Sequence, residues 1–259
     1  MTDITMIRAG KPPAPPLVAI LRKDKPMLKF IRCAVVALIL APTAGAAQDF
    51  AAGLDAAEQG DYATALQEFR PLAEQGVAEA QLLLGGMYNE GLGVPQDYAE
   101  AARWYRLAAE QGIAMAQINL GSKYARGQGV PQDYAEAVKW WRLAAEQGYA
   151  SAQLALGHSY YDGKGVTQDY AEAARWYRLA AEQGNADAQA SLGFMYYTSQ
   201  GVPKDYTTAH MWYNIAAEGG TDGAAKVRDI VAKQMTAADI SEAQRRAQMC
   251  VNSGYQECD

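Results

Sequence analysis

The amino-acid sequence repeats itself every 36 residues over much of its length, and this period constrains the fold more than any other feature. Leu-Gly pairs, glutamines and tyrosines recur in one register, starting from Leu84, Gln81 and Tyr88. The tripeptide Glu-Gln-Gly begins at Glu74, Glu110, Glu146 and Glu182, with a degenerate copy at Glu218. Because four independent markers share one period, the sequence predicts a repeat protein in which each unit buries its apolar face against its neighbours.

Each repeat carries start and stop signals for two helices. In the copy that begins at residue 78, apolar and small residues at helical spacing predict a first helix from about Glu79 to Asn89. Gly91 and Gly93 follow, and at least one of them is expected to take a positive φ angle in a tight turn. Asp97 is placed to cap a second helix, and Glu100 stands at the spacing of a capping box. The sequence therefore predicts one helix-turn-helix hairpin in each repeat.

The second helix of every repeat carries a stripe of aromatic and small residues at helical spacing. Small residues between large ones let helices approach closely around aromatic anchors. The stripe therefore predicts contacts between hairpins rather than a ligand pocket, and we expect Trp140 to be buried in this way. In one copy the stripe consists of Tyr98, Ala101, Trp104, Tyr105 and Ala108.

The first 46 residues have the features of an export signal. Lys29 and Arg32 precede an apolar run from Cys33 to Ala41, and small residues at 44–46 provide a cleavage site. This run is much shorter than the roughly 20 residues that a membrane span needs, so a permanent anchor is the weaker interpretation. The segment before Met27 is longer than such signals usually carry, which suggests that translation starts at Met27.

Removal of residues 1–46 makes the chain more acidic. The full sequence has 23 Lys and Arg against 29 Asp and Glu, whereas residues 47–259 have 16 against 27, a net charge of −11. A surface of that sign repels nucleic-acid phosphates and anionic lipids. We therefore predict no nucleic-acid binding and, after signal cleavage, no membrane association.

The recurring residues carry a family resemblance. Together the copies give the pattern Ala-x-Leu-Gly-x-x-Tyr-x-x-Gly-x-Gly-Val-Pro-x-Asp-Tyr-x-x-Ala-x-x-Trp-Tyr-x-x-Ala-Ala-x-x-Gly. Two positions depart from it: Thr167 stands in place of proline and Ser199 in place of glycine. This composite closely resembles the Sel1-like repeat of the tetratricopeptide superfamily. The resemblance implies an all-α fold, a right-handed α-solenoid of helix-turn-helix repeats. Its four repeats are expected at residues 78–113, 114–149, 150–185 and 186–220.

The segments on either side of the four repeats are predicted to cap the array, since terminal units need one polar face. Residues 47–77 are similar to a looser tetratricopeptide-like unit, in which Phe69 stands where later copies have Tyr or Trp. Residues 221–259 are predicted to form two more helices. The second of these is expected to be capped by Thr236, with Asp239 at its third helical position.

Two cysteines, Cys250 and Cys258, lie near the carboxyl terminus with seven residues between them. In an oxidising compartment such a pair is expected to form a disulfide that holds the tail in place. The alternative is a metal or redox site, but no histidine is near in the sequence and the spacing is not Cys-x-x-Cys.

No pattern in the sequence predicts catalysis or a cofactor. The two histidines, His158 and His210, belong to no metal-ligand or nucleophile motif, and we expect both at the surface. The Gly-x-Gly turns follow helices and lack the Lys-Ser/Thr of a phosphate loop, so they predict turns only. Carboxylates such as Glu100 have basic neighbours such as Arg103 on solvated helix faces. We therefore predict a protein that is not an enzyme and that uses no cofactor and no metal.

Positions that differ between copies are the candidates for recognition, because stacking positions must repeat while recognition positions are free to vary. By resemblance to tetratricopeptide-like solenoids, first helices line a concave groove. Four residues of that face, His158, Tyr161, Phe194 and Tyr197, are expected to form an aromatic patch that anchors a partner. Ordinary surface variation is the alternative. The candidate partner-binding residues are Leu83, Asn89, Asn119, Arg126, His158, Tyr161, Phe194 and Tyr197.

The resemblance leaves two classes of function open. The first is a monomeric, non-enzymatic scaffold or regulator of the bacterial periplasm or the secreted fraction, which binds a partner protein or peptide. The second is an enzyme of the cysteine-rich Sel1 type that acts on β-lactams or cell-wall material. Those proteins carry paired cysteines in their repeats, and residues 78–220 contain no cysteine. The interaction protein is therefore the favoured prediction.

Overall fold

The computed structural model of the protein describes residues 44–258, with side chains from residue 49 onward. The predicted export signal and the predicted start at Met27 lie outside these residues, apart from the last positions of the cleavage region. Within the described range every regular element is an α-helix, as predicted. None of these helices is both long enough and apolar enough to cross a bilayer. The helices are α1 (Ala44–Gln59), α2 (Tyr62–Glu74), α3 (Ala78–Glu90), α4 (Tyr98–Glu110), α5 (Ala114–Arg126), α6 (Tyr134–Glu146), α7 (Ala150–Asp162), α8 (Tyr170–Ala181), α9 (Ala186–Thr198), α10 (Tyr206–Glu218), α11 (Ala224–Ala232) and α12 (Ala237–Asn252).

The described residues divide into two compact units, which we call the amino-terminal unit (44–140) and the carboxy-terminal unit (141–258). In the amino-terminal unit, α1 packs on α2, α2 on α3, α3 on α4 and α4 on α5. In the carboxy-terminal unit, consecutive helices from α7 to α11 pack in the same way, and α12 returns to pack on α10. Each unit is therefore a succession of helical hairpins, as the repeat pattern predicts.

The turn inside each repeat explains two of its glycines. Gly91 ends α3 with φ at 68°, and Gly93 follows with φ at 70°, so both adopt the left-handed conformation that glycine tolerates best. Gly93 also lies against the start of α2. A Cβ atom at Gly93 would lie 2.5 Å from the carbonyl oxygen of Tyr62. A side chain there would force the two hairpins apart, and the prediction of positive φ in this turn is confirmed.

The start of each second helix is capped as predicted, but by half of a capping box. Oδ1 of Asp97 accepts hydrogen bonds from the backbone N–H groups of Ala99 (2.8 Å) and Glu100 (3.1 Å). The reciprocal bond is absent because the N–H of Asp97 donates to the carbonyl of Tyr88 in α3, at 2.9 Å. The Glu100 carboxylate accepts instead from Arg103. The predicted capping box is therefore wrong in its second half, since the first helix of the same hairpin supplies the acceptor.

The aromatic stripe of the second helices packs the hairpins together. Tyr105 is 1% exposed, and a Cβ at Gly85 would lie 2.7 Å from its ring, so the Leu-Gly glycine makes room for the tyrosine. The prediction for Trp140 is wrong: this side chain is half-buried at the edge of the amino-terminal core, next to the fully buried Ala137. In the carboxy-terminal unit, Trp212 is the buried counterpart, at 1% exposure.

The carboxyl-terminal segment forms two helices, as predicted. Thr236 caps α12 and makes a complete capping box with Asp239, with the two reciprocal bonds at 3.2 and 3.3 Å. Cys250 and Cys258 are joined by a disulfide, with their Cα atoms 4.4 Å apart. Both cysteines are buried in the apolar core of the carboxy-terminal unit. The prediction of a cysteine pair that can form a disulfide is thus confirmed.

Candidate interaction surface

The first helices, α3, α5, α7 and α9, are tied to the second helix of the preceding hairpin by an arginine and a tyrosine. Arg70 in α2 donates a hydrogen bond to the hydroxyl of Tyr88 in α3 at 2.8 Å. Sequence analysis recognised the tyrosines but missed the arginines, although these also recur every 36 residues. This contact fixes the orientation of each first helix. The equivalent hydrogen bonds further along the chain join Arg106 to Tyr124 (2.5 Å), Arg142 to Tyr160 (2.8 Å) and Arg178 to Tyr196.

A recurring glutamine joins the start of each first helix to the end of the preceding second helix by a hydrogen bond. The buried amide of Gln81 donates to the carbonyl of Ala73 near the end of α2, at 3.0 Å. The same bond is made by Gln117, Gln153 and Gln189 at distances from 3.1 to 3.3 Å. Because a buried carbonyl and a buried amide satisfy each other, these repeated glutamines are structural.

Two of the predicted aromatic residues come together in the carboxy-terminal unit. The ring centroid of Tyr161 lies 6.2 Å from that of Phe194 and 5.2 Å from that of Tyr170. The Tyr161 hydroxyl donates to Oε1 of Gln200 at 2.8 Å. All of these side chains are half-buried. We call this group, Tyr161, Tyr170, Phe194 and Gln200, the Tyr161 cluster.

The other two aromatic candidates have different ring partners. Tyr197 packs on Tyr206, with centroids 5.8 Å apart. His158 is exposed, and its Nδ1 lies 2.8 Å from the hydroxyl of Tyr177. Within the expected patch of four, Tyr161 and Phe194 are thus the pair whose rings contact each other. Sequence analysis missed Tyr170 because it belongs to the repeated stripe and was interpreted as a stacking residue.

The rim of the Tyr161 cluster is polar. Asp162 and Lys164 form an ion pair at 3.3 Å beside a shallow depression, which Tyr161, Tyr170 and Gln168 also line. The amide of Gln168 donates to the carbonyl of Tyr161 at 2.8 Å, which closes the end of α7 onto the following loop. An apolar centre with a polar rim is the arrangement that partner-binding patches show.

In the amino-terminal unit, the candidates differ in exposure. Leu83 is 2% exposed and belongs to the apolar core, so its assignment to a partner-facing surface is wrong. Asn119 is 6% exposed, but its Nδ2 has no hydrogen-bond partner. Asn89 is half-buried and donates to Oε1 of Glu90 at 2.6 Å, and Arg126 is exposed. Asn89 and Arg126 thus remain candidates for recognition, whereas Asn119 is buried.

Lys123, which sequence analysis did not single out, lies next to these polar residues. It is 5% exposed, and its Nζ lies 4.0 Å from the centroid of the Tyr98 ring and 3.4 Å from Oε1 of Gln128. Burial, together with a smaller effect of the positive charge of Arg126, lowers the pKa of the Lys123 ammonium to about 8, although the carboxylate of Glu90 acts in the opposite direction. The sequence did contain one signal for Lys123, because the other three repeats have no charged residue at the equivalent position.

Among residues 49–258, no three side chains of His, Cys, Asp or Glu are arranged to hold a metal ion. His210 is 2% exposed, so the prediction that it lies at the surface is wrong. His210 belongs to α10. Burial and the positive charge of Arg228 lower its pKa, while the carboxylate of Asp229 acts in the opposite direction. The Nδ1 atom of this buried imidazole has no hydrogen-bond partner.

Comparison with known proteins places the four repeats in one family. The model of the Sel1 repeat matches residues 78–113, 114–149, 150–185 and 186–221. A search of curated proteins found no match.

Two solved structures share the fold and more than a third of the aligned sequence. One is a protective antigen present in uropathogenic Escherichia coli strains, which displays an SLR fold: the TM-score is 0.71 and the identity 39%, over 82% of this chain and 46% of the antigen. The other is a Sel1 repeat protein from Oxalobacter formigenes, with a TM-score of 0.68 and 36% identity, over 80% of this chain and 87% of that one. This chain thus spans about half the length of the antigen. From its sequence and its succession of helical hairpins, the chain belongs to the Sel1 repeat family, an all-α family of solenoid fold.

Proposed function

We propose that this protein is a non-enzymatic scaffold or regulator that binds a partner protein or peptide on the variable face of its first helices. Sel1 repeats generally mediate protein–protein interaction. The observation that carries the proposal for this chain is the Tyr161 cluster, where Tyr161 and Phe194 meet at a position that repeats do not need for stacking. Aromatic side chains of this kind supply most of the binding energy in many interfaces.

The geometry of the cluster suits an anchor for a partner. Tyr161 and Phe194 are half-buried, so each holds a defined position while part of its ring stays accessible. The bond from the Tyr161 hydroxyl to Gln200 fixes the ring before a partner arrives. A side chain that is already ordered loses little conformational entropy on binding, which favours affinity.

The enzymatic alternative has weaker support. Both cysteines of the described chain, Cys250 and Cys258, lie beyond the repeats and are bonded to each other in the core. The paired cysteines within repeats that the cysteine-rich relatives carry have no counterpart in residues 78–220. A nitrocefin turnover assay on the purified protein provides a direct check, and we expect no turnover.

We also propose that the protein works as a monomer in the periplasm or outside the cell. A disulfide between Cys250 and Cys258 is typical of oxidising compartments. The related protein from uropathogenic Escherichia coli is a protective antigen, which is consistent with a location outside the cytoplasm. The acidic balance of residues 47–259 disfavours nucleic acid and anionic lipid as targets. In this proposal residues 47–77 and 221–259 cap the four repeats.

The test is affinity capture from an envelope extract, with the partner identified by mass spectrometry and its affinity then measured directly. We expect the double variant Tyr161→Ala/Phe194→Ala to keep its helical circular dichroism and to bind the partner at least about tenfold more weakly. Tyr149→Ala is the matched control, because Tyr149 is a 42% exposed aromatic residue of the same unit outside the cluster. Equal affinity of the double variant and the control would remove the Tyr161 cluster as the binding site.

A further inference from the structure

The shallow depression beside the Tyr161 cluster opens at the surface of the carboxy-terminal unit. Its volume is about 380 Å³, and it is lined by Tyr161, Asp162, Lys164, Gln168 and Tyr170. This volume lies near the lower end of the range found for ligand sites, so the depression has room for one long side chain. Tyrosine rings attract cations through their faces, and a carboxylate attracts them through its charge. The lining therefore favours a positively charged group.

Two of the other three repeats hold a cation of their own against the tyrosine that corresponds to Tyr170. The Nζ atom of Lys204 lies 4.8 Å from the ring centroid of Tyr206. The Nζ atom of Lys123 lies 4.0 Å from the ring centroid of Tyr98. Both tyrosines begin the second helix of their repeat, as Tyr170 does. A tyrosine at this position of the repeat is therefore placed to accept an ammonium group on its ring.

The hairpins around Tyr170 have neutral residues at the two positions from which those cations come. Gln168 stands where the last repeat has Lys204, and its amide donates to the carbonyl of Tyr161. Met195 stands where Lys123 stands two repeats earlier, and it is fully buried. Neither of these two positions can therefore supply a cation to the ring of Tyr170.

Lys164 is the basic residue among those that line the depression, and its ion pair with Asp162 can be exchanged. The Lys164 side chain is 55% exposed and the Asp162 side chain 24%, with 3.3 Å between Nζ and Oδ2. Exposed ion pairs of this kind contribute little free energy, so the ammonium can move into solvent while the carboxylate stays in the wall. Asp162 is also the last residue of α7, so the negative end of the helix dipole adds to its charge.

We propose that this depression binds a basic side chain, arginine or lysine, of the partner, which takes the place of Lys164 beside Asp162 and packs on the rings of Tyr161 and Tyr170. This inference rests on the proposed function and adds the chemistry of the partner at the same surface. The charge of the whole chain agrees with it, because residues 47–259 carry 16 basic against 27 acidic side chains. A net negative charge attracts a basic partner and increases its rate of association.

Short peptides test the requirement for a charge on the wild-type protein. The probe is acetyl-Ala-Ala-Arg-Ala-Ala-amide, and the blank is the same peptide with citrulline, which has a similar shape without the charge. Nuclear magnetic resonance of the aromatic ring signals measures binding. We expect saturable shifts at Tyr161 and Tyr170 with the arginine peptide and with its lysine analogue, and at least about threefold weaker binding of the citrulline peptide. Equal binding of the arginine and citrulline peptides, or tighter binding of a glutamate peptide, would overturn the proposal.

The substitution Gln168→Lys tests the site with the residue that the last repeat uses. We expect the new ammonium to lie on the ring of Tyr170 and to weaken binding of the arginine peptide by at least about threefold. Gln96→Lys is the matched control, because Gln96 is the corresponding exposed glutamine of the first repeat and makes the equivalent bond, to the carbonyl of Asn89 at 2.7 Å. The two variants gain the same charge. Equal affinity of Gln168→Lys and Gln96→Lys for the arginine peptide would show that it does not bind in the depression.

The substitution Asp162→Thr removes the carboxylate and introduces the residue that the last repeat has at this position, Thr198. We expect at least about threefold weaker binding of the arginine peptide. Glu90→Thr removes the carboxylate at the corresponding position of the first repeat and is the matched control. If Asp162→Thr binds the peptide as tightly as Glu90→Thr does, Asp162 does not bind the cation and the proposal fails. If a variant does not fold, the comparison of arginine with citrulline on the wild-type protein decides.

Partner capture separates this inference from the proposed function. Capture that is weakened in Tyr161→Ala/Phe194→Ala and also in Gln168→Lys supports both. Capture that depends on Tyr161 and Phe194 but is unchanged in Gln168→Lys and in Asp162→Thr would overturn this inference and leave the proposed function intact.

Discussion

At the scale of single residues, the repeat shows which positions are constrained by backbone conformation. Ser199 ends α9 with φ at 61°, where the preceding repeats have glycine at the equivalent position, such as Gly163 with φ at 67°. A residue with a Cβ atom is strained in this left-handed region, whereas glycine is not. The lapse recognised in the sequence at Ser199 therefore corresponds to a local strain in the structure.

Replacement of Ser199 by glycine is expected to stabilise the protein. Relief of the left-handed strain at this position should raise the free energy of unfolding by about 1 kcal/mol. Urea denaturation followed by circular dichroism measures the change. The reverse substitution at the equivalent position, Gly163→Ser, should lower stability by a similar amount. Equal stabilities of wild type and Ser199→Gly would contradict the strain at this turn.

The buried imidazole of His210 predicts a dependence of stability on pH. Because burial and Arg228 lower its pKa in the folded state, the unfolded chain binds more protons once the pH falls below the ordinary value of 6.5. The contribution of His210 is therefore fully present above that pH and is lost as the pH falls through 6.5 towards the lower folded pKa. Chemical denaturation at pH 7.5 and 5.5 should show a loss for wild type that is smaller in His210→Val, which copies the buried Val138 of an earlier repeat. An identical loss in both proteins would assign it to other groups.

At the scale of elements, the second helices hold the hairpins together through their aromatic residues. Trp212 in α10 is 1% exposed, whereas Trp140 in α6 is only half-buried. Truncation of a buried tryptophan leaves a cavity and costs about 3–5 kcal/mol. We therefore expect Trp212→Ala to lower the free energy of unfolding by that amount and Trp140→Ala by clearly less. Thermal or urea denaturation measures both, and equal losses would show that burial does not rank these two positions.

The same elements show what the sequence could and could not predict. The bounds of α3, the cap at Asp97 and the turn glycines follow from local signals, so the pattern located them within about a residue. The second half of the capping box was wrong because Tyr88, in another helix, takes the N–H of Asp97. The partial exposure of Trp140 and the burial of His210 also depend on neighbouring helices, which a period cannot encode.

At the scale of the whole molecule, the repeat period predicted the fold class, while the candidate site was predicted only in part. Variation between copies identified Tyr161 and Phe194, which the structure brings into contact. It did not separate Leu83, a core residue, from surface positions, because core and surface residues both vary in a first helix. Lys123 was missed for a related reason: its burial becomes visible only when the neighbouring helices are in place.

The central claim is that no repeat is stable alone and that each hairpin depends on its neighbours. A single repeat has two 13-residue helices, α3 and α4, and helices of this length are marginal in water without tertiary contacts. Far-ultraviolet circular dichroism of the isolated peptide 78–113, compared with the chain of residues 47–259, tests this directly. The account predicts a largely unfolded peptide and a strongly helical chain with cooperative melting. A peptide that is as helical per residue as the chain, and that melts cooperatively, would contradict it.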